Sequence, residues 1–325
     1  MTSLAKTSPG EAPGVEKGSS LWADAFIRLK KNKLAMLGGI IVIVILIACF
    51  IVAPILALNG LDGNAQDLSN RFAGFGEKGV LGTDQLGRDL LMRVLQGGQI
   101  SLLVAIMATI MTVTIGVIYG GIAGYVGGKI GNVMMRIVDG LLAMPFLIIV
   151  ILFREIISGQ IDEIARFLID VWKWNDNTVL RFANLIPLTI AIAGFGWLSM
   201  GRIVRSAAAS LTRQEFVEAA RSLGLGHGRI LFRHILPNML GPVIIYATLT
   251  IPSFILYEAT LSFIGLGIEP PNSSWGKLIQ EGANYLETNV TVLAVPAILF
   301  SLTLFAFNFL GDGLRDALDP KASKD

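Results

Sequence analysis

LAMLGGIIVIVILIACFIVAPILAL, residues 34–58, runs for 25 positions without one charged side chain. As a helix rising about 1.5 Å per residue it reaches roughly 38 Å, enough to cross a hydrocarbon core about 30 Å thick. Arg28, Lys30, Lys31 and Lys33 stand just before it. A cleaved secretory leader also sets basic residues before an apolar stretch, but its apolar core spans only about 7–15 residues. The segment therefore reads as a retained first membrane span.

The rest of the chain follows the same pattern. It has 325 residues, 53% apolar and only 15% charged, with a mean hydropathy of +0.66. Soluble domains carry about a quarter charged residues, so the composition points to an all-α polytopic membrane protein. Five more spans are expected at roughly 100–124, 136–153, 185–204, 239–266 and 289–310, making about six. Gly116, Gly120, Pro145, Pro187, Pro252 and Pro296 interrupt these runs. Neighbouring helices in a membrane tolerate such residues. The expected organisation is a tail over 1–33, the first span, a polar segment over 59–99, a core over 100–310 and a second tail over 311–325.

Basic residues set the expected orientation. The segments 1–33, 125–136, 202–238 and 311–325 together hold 17 Lys/Arg against 9 Asp/Glu, and the segments 57–99, 154–184 and 267–288 hold 9 against 13. By the positive-inside rule the first set, with both termini, is cytoplasmic.

Several chemistries are disfavoured. A net charge of +2 is too small to argue for nucleic acid, and the single cysteine, Cys49, lies inside an apolar run. The two histidines, His227 and His234, share one polar segment. They form no cluster with metal-ligand spacing, nor do they sit at membrane depth beside a nucleophile. No metal, catalytic residue or bound cofactor is expected on this chain.

In the 154–184 connection, Ile157, Ile161, Ile164, Leu168 and Val171 recur at helical spacing opposite Asp162, Glu163, Arg166, Asp170 and Lys173. Trp172 and Trp174 suit a membrane–water boundary. The expectation is an amphipathic helix lying along the outer surface, acting either as packing or as a contact for an extracytoplasmic partner.

The segment EFVEAARSLGLGHGRILFRHILPN, residues 215–238, is charged, broken by glycine and closed by proline, between two long apolar runs. Thr212 and Glu215 have capping-box spacing, which starts a helix at Arg213. Phe216, Ala219, Ala220 and Leu223 then share one face, and Gly224 stops the helix in a left-handed turn. A second short helix leads to Pro237. The result is a helical hairpin over 213–237, read either as an ordinary loop or as a projection that docks in a groove of another protein.

Two further features invite misreading. LQGGQ, residues 95–99, looks like a nucleotide-binding signature, but the chain lacks a GxxxxGK[ST] phosphate loop. Asp139 and Glu258 are the acidic residues nearest membrane depth, where such groups face a cavity or a partner. Arg136, three residues away, is the expected partner of Asp139. Glu258 has no local base, and both an interhelical hydrogen bond and a place on a substrate pathway stay open.

The hairpin also carries a resemblance. Glu218-Ala219-Ala220, Gly224 and His234-Ile235-Leu236-Pro237 resemble the EAA signature of permeases of binding-protein-dependent ABC importers. LGTDQLGRDLL (81–91), AGYVGGKIGNVMMRIVDGLLAMPF (123–146), GWLSMGRIVRS (196–206), LSFIGLG (261–267), SSWG (273–276) and FNFLGDGLRDALDP (307–320) resemble the second, C-type permease subunit of oligopeptide importers. The long 154–184 connection departs from that pattern. The resemblance implies a type I ABC importer permease that takes up short peptides. It makes 213–237 the coupling hairpin, with Glu218, Ala219, Ala220, Arg221, Gly224, His234, Leu236 and Pro237 at the ATPase interface. It also implies a second, non-identical permease, two ATPase subunits that carry ATP and Mg, and an extracytoplasmic peptide-binding protein. A sibling importer for dipeptides, nickel or another small solute is the near alternative. An ion-coupled carrier or a membrane enzyme would need an inverted repeat or a catalytic set, and neither is evident.

Overall fold

The computed structural model describes residues 21–318 apart from 172, 174 and 271, and among these every regular element is helical. Trp172 and Trp174 thus lie outside the described residues, as do 1–20 and 319–325. In chain order the elements are α1 (Leu21–Lys31), α2 (Lys33–Leu58), α3 (Leu90–Val126), α4 (Gly128–Leu142), α5 (Phe146–Asp170) and α6 (Asp176–Leu211). They continue with α7 (Glu215–Ser222), α8 (227–238), α9 (Leu240–Phe263), α10 (Trp275–Ala283) and α11 (Val290–Leu318).

Five helical stretches are long and apolar enough to span a membrane: α2, α3, Phe182–Leu211 within α6, α9 and α11. A sixth crossing exists only if α4 and α5 count together, and these meet at a 92° bend. The straight span expected over 136–153 is therefore corrected to a broken one. Pro145 causes the break. It lacks an amide hydrogen and disfavours helical geometry at the residue before it, so α4 stops at Leu142 and α5 restarts at Phe146 with Pro145 as N-cap.

The polar segment before α3 is shorter than expected. The Asp89 carboxylate accepts from the Met92 amide at 2.8 Å, a side-chain N-cap that starts the helix at Leu90 rather than near 100. LQGGQ consequently lies inside a helix. A Cβ added at Gly98 would stand 2.6 Å from Cys49 Sγ and 2.7 Å from Trp275 Cζ2, so this glycine is a packing site.

The most extensive helix contact joins α3 to α6. Gly116, Gly120 and Gly124 form its seam, at the four-residue spacing that lets membrane helices approach closely. Added Cβ atoms would sit 2.5 Å from Met200 Cγ at Gly116, 2.3 Å from the Gly201 carbonyl at Gly120, and 2.5 Å from the Arg205 carbonyl at Gly124. On the other side of the bundle α2 lies against α11. The core between the layers holds fully buried Leu102, Leu188, Ile192 and Ile255, while Ile40, Ile43, Val44 and Ile47 of α2 face outward. An apolar exterior of this kind is stable in lipid rather than in water. Because successive crossings alternate in direction, α1, the start of α2 and the end of α11 share one end of the bundle with α7 and α8. We call it the hairpin end, and the opposite one the far end.

The 154–184 connection differs from the expected surface-lying helix. Residues 154–170 continue α5, which is capped at Val171, and α6 has begun by Asp176. Ala165 packs with Val179 and Ala183, flanked by Ile161, Leu168 and Ile169. The apolar face is thus covered by the returning chain instead of by lipid. Ile164 and Val171, placed on that face by spacing alone, are exposed.

Candidate functional site

The hairpin is built from short pieces on a packed base. Helix α7 starts at Glu215, not Arg213, and Thr212 is no cap: its hydroxyl donates back to the Ala208 carbonyl at 2.7 Å, extending the end of α6. At its other end the Gly224 amide donates to Arg221 and the Leu225 amide to Ala220. This paired pattern, with Gly224 at φ +75°, is a Schellman stop. Val217 and Ala220 are buried against Met200, Val204, Ala208 and Ile230. Ala220 therefore faces this chain's own core, which corrects the face assigned by spacing. The outward face carries Phe216, Ala219 and Leu223, with Leu223 81% exposed, and Glu218 is exposed beside it.

Arg221 points the other way. Its guanidinium lies 5.6 Å from the centre of the Tyr125 ring at the end of α3, and the Tyr125 hydroxyl stands 2.7 Å from His227 Nδ1. In α8, one π-helical turn spans Leu231–Ile235. The carbonyl of half-buried His234 accepts from Asn238 Nδ2 at 2.6 Å. Leu236 packs near Gly121, and Pro237 is exposed.

On the coupling role that the resemblance implies for the hairpin, Val at Gly224 is expected to lower transport by an order of magnitude or more while the protein still inserts at near-normal levels. A left-handed residue other than glycine costs roughly 1–2 kcal/mol, and a β-branched one more. Nothing lies within 4 Å of a Cβ there, so the effect is backbone strain and not a clash. Gly224→Ala should show a smaller loss. Uptake measured at matched membrane abundance checks both.

Above the hairpin base a cavity of about 820 Å³ opens between the α4–α5 break, α6 and α9. Phe146, Phe195, Phe254 and Tyr257 supply aromatic walls, Ser199, Tyr246, Thr250 and Ser253 supply hydroxyls, and Arg315 is the one ionic group lining it. Asp139 and Glu258 are not among its lining residues. Asp139 pairs with Arg202 of α6 at 2.6 Å, correcting the expected partner Arg136, and the pair is more than half exposed. It ties α4 to α6, as does Arg205 donating to Asn132 at 3.0 Å.

Glu258 is fully buried between α9, α3 and the start of α10. Ser101 and Ser262 each donate to it at 2.6 Å, and the Ser274 hydroxyl also reaches the carboxyl. The two nearer hydroxyls pass the connection on, Ser101 accepting from the Trp275 amide and Ser262 from the Ile268 amide, both at 3.2 Å. The carboxyl is thereby the shared end of two relays that hold the far-end segments down on the bundle.

Sequence reasoning missed a second far-end network. Arg88 bonds Asp84 at 2.6 Å and Glu281 at 3.2 Å, while Arg93 reaches Asp84 at 3.3 Å, Glu281 at 3.2 Å and Ser273 at 3.3 Å. Arg93 is only 4% exposed. The signal available was the density of charge in TDQLGRDLLMR, 83–93, which is too high for a loop that merely links spans. Nearby, Lys78, Ser69 and Asn70 bond Asp67 and hold its carboxyl well below the usual carboxylate range.

With this geometry in view, residues 116–324 match the family described as binding-protein-dependent transport system inner membrane component. Residues 20–74 match the N-terminal TM domain of oligopeptide transport permease C. The chain is 44% identical over 306 residues to the Oligopeptide transport system permease protein OppC of Escherichia coli (strain K12), covering 94% of this chain and 93% of that protein. It is 38% identical to OppC of Bacillus subtilis (strain 168), covering 98% and 96%. It is 39% identical to the Dipeptide transport system permease protein DppC of the same organism, covering 96% and 89%.

Proposed function

The chain belongs to the binding-protein-dependent transport system inner membrane components, and on that footing we propose that it is a membrane subunit of an ATP-driven importer of short peptides. It conducts the cargo and makes or breaks no bond in it. Its partners are a second, non-identical permease, two ATPase subunits that bind ATP and Mg, and an extracytoplasmic peptide-binding protein. Phe216, Ala219 and Leu223 form the outward docking face for an ATPase subunit, with Glu218 on its flank. Gly224 fixes the hairpin's shape, while Val217 and Ala220 anchor it to the spans that must move.

The observation that carries the cargo assignment is the lining of the 820 Å³ cavity. Hydroxyls and aromatic rings can bond or stack on a peptide backbone whatever its side chains are, and a near absence of ionic groups avoids selecting one charge. The test is uptake of labelled peptides of two to five residues in cells whose own peptide importers are deleted. Uptake of tri- to pentapeptides that requires this chain supports the reading. Uptake of dipeptides alone reassigns the cargo, and none of any length overturns it.

The excess of basic residues at the hairpin end supports a cytoplasmic position for that end. Single cysteines introduced at exposed Ile164 or Lys173 are expected to react with an impermeant thiol reagent added outside cells. A cysteine at exposed Arg229 should react only after permeabilisation. The reverse pattern inverts the topology.

A further inference from the structure

An open groove runs along α3 toward the hairpin. Its deeper part, about 380 Å³, is walled by Val113, Val117 and Ile118 of α3 and by Pro237, Leu240 and Val243 across from them. The part nearer the hairpin, about 500 Å³, is walled by Ile122 and Val126 and closed by Tyr125, Arg221 and His227. Ile118 and Ile122 are one helical turn apart on the same face, so the two parts follow one another along one side of α3. Ile118, Ile122 and Val126 are exposed, and the α3 helix ends at Gly127.

We propose that this groove binds one anionic phospholipid, with its acyl chain along Val113–Val126 and its phosphate at Arg221 and His227. Three observations carry the assignment. Polarity is graded: the deeper part is walled almost wholly by carbon, its one hydroxyl, Thr114, being bonded back to the Ile110 carbonyl, whereas the basic groups and the Tyr125 hydroxyl lie at the end where the span finishes. Length fits, since the 13 steps from Val113 to Val126 of α3 rise about 20 Å, enough to run the depth of the roughly 15 Å hydrocarbon of one leaflet. Charge is complementary, because Arg221 is turned away from the outward face of α7 and held over Tyr125, with exposed Arg229 two residues beyond His227. A guanidinium fixed in this way offers paired donors to phosphate oxygens. The site is separate from the cargo cavity and independent of which solute is imported.

The experiment uses the complete, purified transporter complex, exchanged into bilayers of palmitoyl-oleoyl phosphatidylglycerol and palmitoyl-oleoyl phosphatidylcholine in equal parts and then released for native mass spectrometry. One phosphatidylglycerol is expected per copy of this chain, preferred over phosphatidylcholine about fivefold, the ratio expected for one arginine at an anionic surface. Arg221→Gln should abolish the preference while leaving some lipid bound. Ile118→Trp, which fills the exposed acyl groove, should remove lipid of either kind with Arg221 intact. No retained phosphatidylglycerol, equal retention of both lipids by the unmodified chain, or unchanged retention in both variants would overturn the proposal. Displacement of the lipid by excess inorganic phosphate would also overturn it, reassigning the basic cluster to a free anion.

Discussion

Valine in place of Gly120 is expected to leave little folded protein in the membrane. The position faces the Gly201 carbonyl, and an added Cβ would stand 2.3 Å from that oxygen and 2.9 Å from Val204 Cβ. Neither obstacle is the free end of a flexible side chain, so α3 and α6 must separate. Separation would loosen the contacts at Gly116 and Gly124 together, because one rigid helix carries all three glycines. Overpacking a tight site costs about 1–3 kcal/mol, and this site sits on the largest helix interface in the chain. A fall of roughly tenfold in the detergent-stable monodisperse fraction is expected, with Gly120→Ala intermediate. Gly140, whose added Cβ meets nothing within 4 Å, provides the control: Gly140→Ala should be near neutral. Equal behaviour of Gly120→Val and Gly140→Ala would show that the α3–α6 seam is not needed for assembly.

Glu258→Ala is the second large effect. It removes the acceptor of Ser101 and Ser262 at once and leaves a space in the core. A buried polar group left without its partner costs about 1–3 kcal/mol, so the two serines together lose about 2–6 kcal/mol. For a chain of this size that lowers the midpoint of thermal unfolding by roughly 3–9 °C. Glu258→Gln keeps the shape and one acceptor, and a serine hydroxyl can rotate to accept from the new amide. It should recover most of the loss. If instead Gln behaves like Ala in transport while matching the unmodified chain in thermal stability, the carboxyl acts on cargo movement and not through the two relays.

Helix-level features were legible where one residue fixes one piece of backbone. Charge-free runs mark the spans because nothing else permits 25 uncharged positions in a row. Gly224 marks a left-handed stop because glycine adopts positive φ without strain. Interfaces were less legible. Spacing placed Phe216, Ala219, Ala220 and Leu223 on one face, but Ala220 is buried with Val217 while Phe216 and Leu223 are exposed. A short helix offers two plausible apolar stripes, and only the neighbouring helix chooses between them. Arg136 was the nearest base to Asp139 in sequence, yet Arg202 takes the pair across 63 positions. The packing of α6 back on α5 was also hidden, since periodicity shows a helix's apolar face and not what will cover it.

The far-end network has a consequence for how the chain is made. Arg93 and Glu281 are separated by 188 positions. At synthesis rates of about 5–20 residues per second, the arginine leaves the ribosome roughly 10–40 s before its acidic partner. During that interval Asp84 is the only member of the pairing set already made that carries the opposite charge, and Ser273 is translated only shortly before it ends. The far end of α3 must therefore wait, half-assembled, for a segment encoded near the other end of the message. A nascent chain stalled before residue 281 should hold Arg88 and Arg93 accessible to water, and release past that point should close them off in one step.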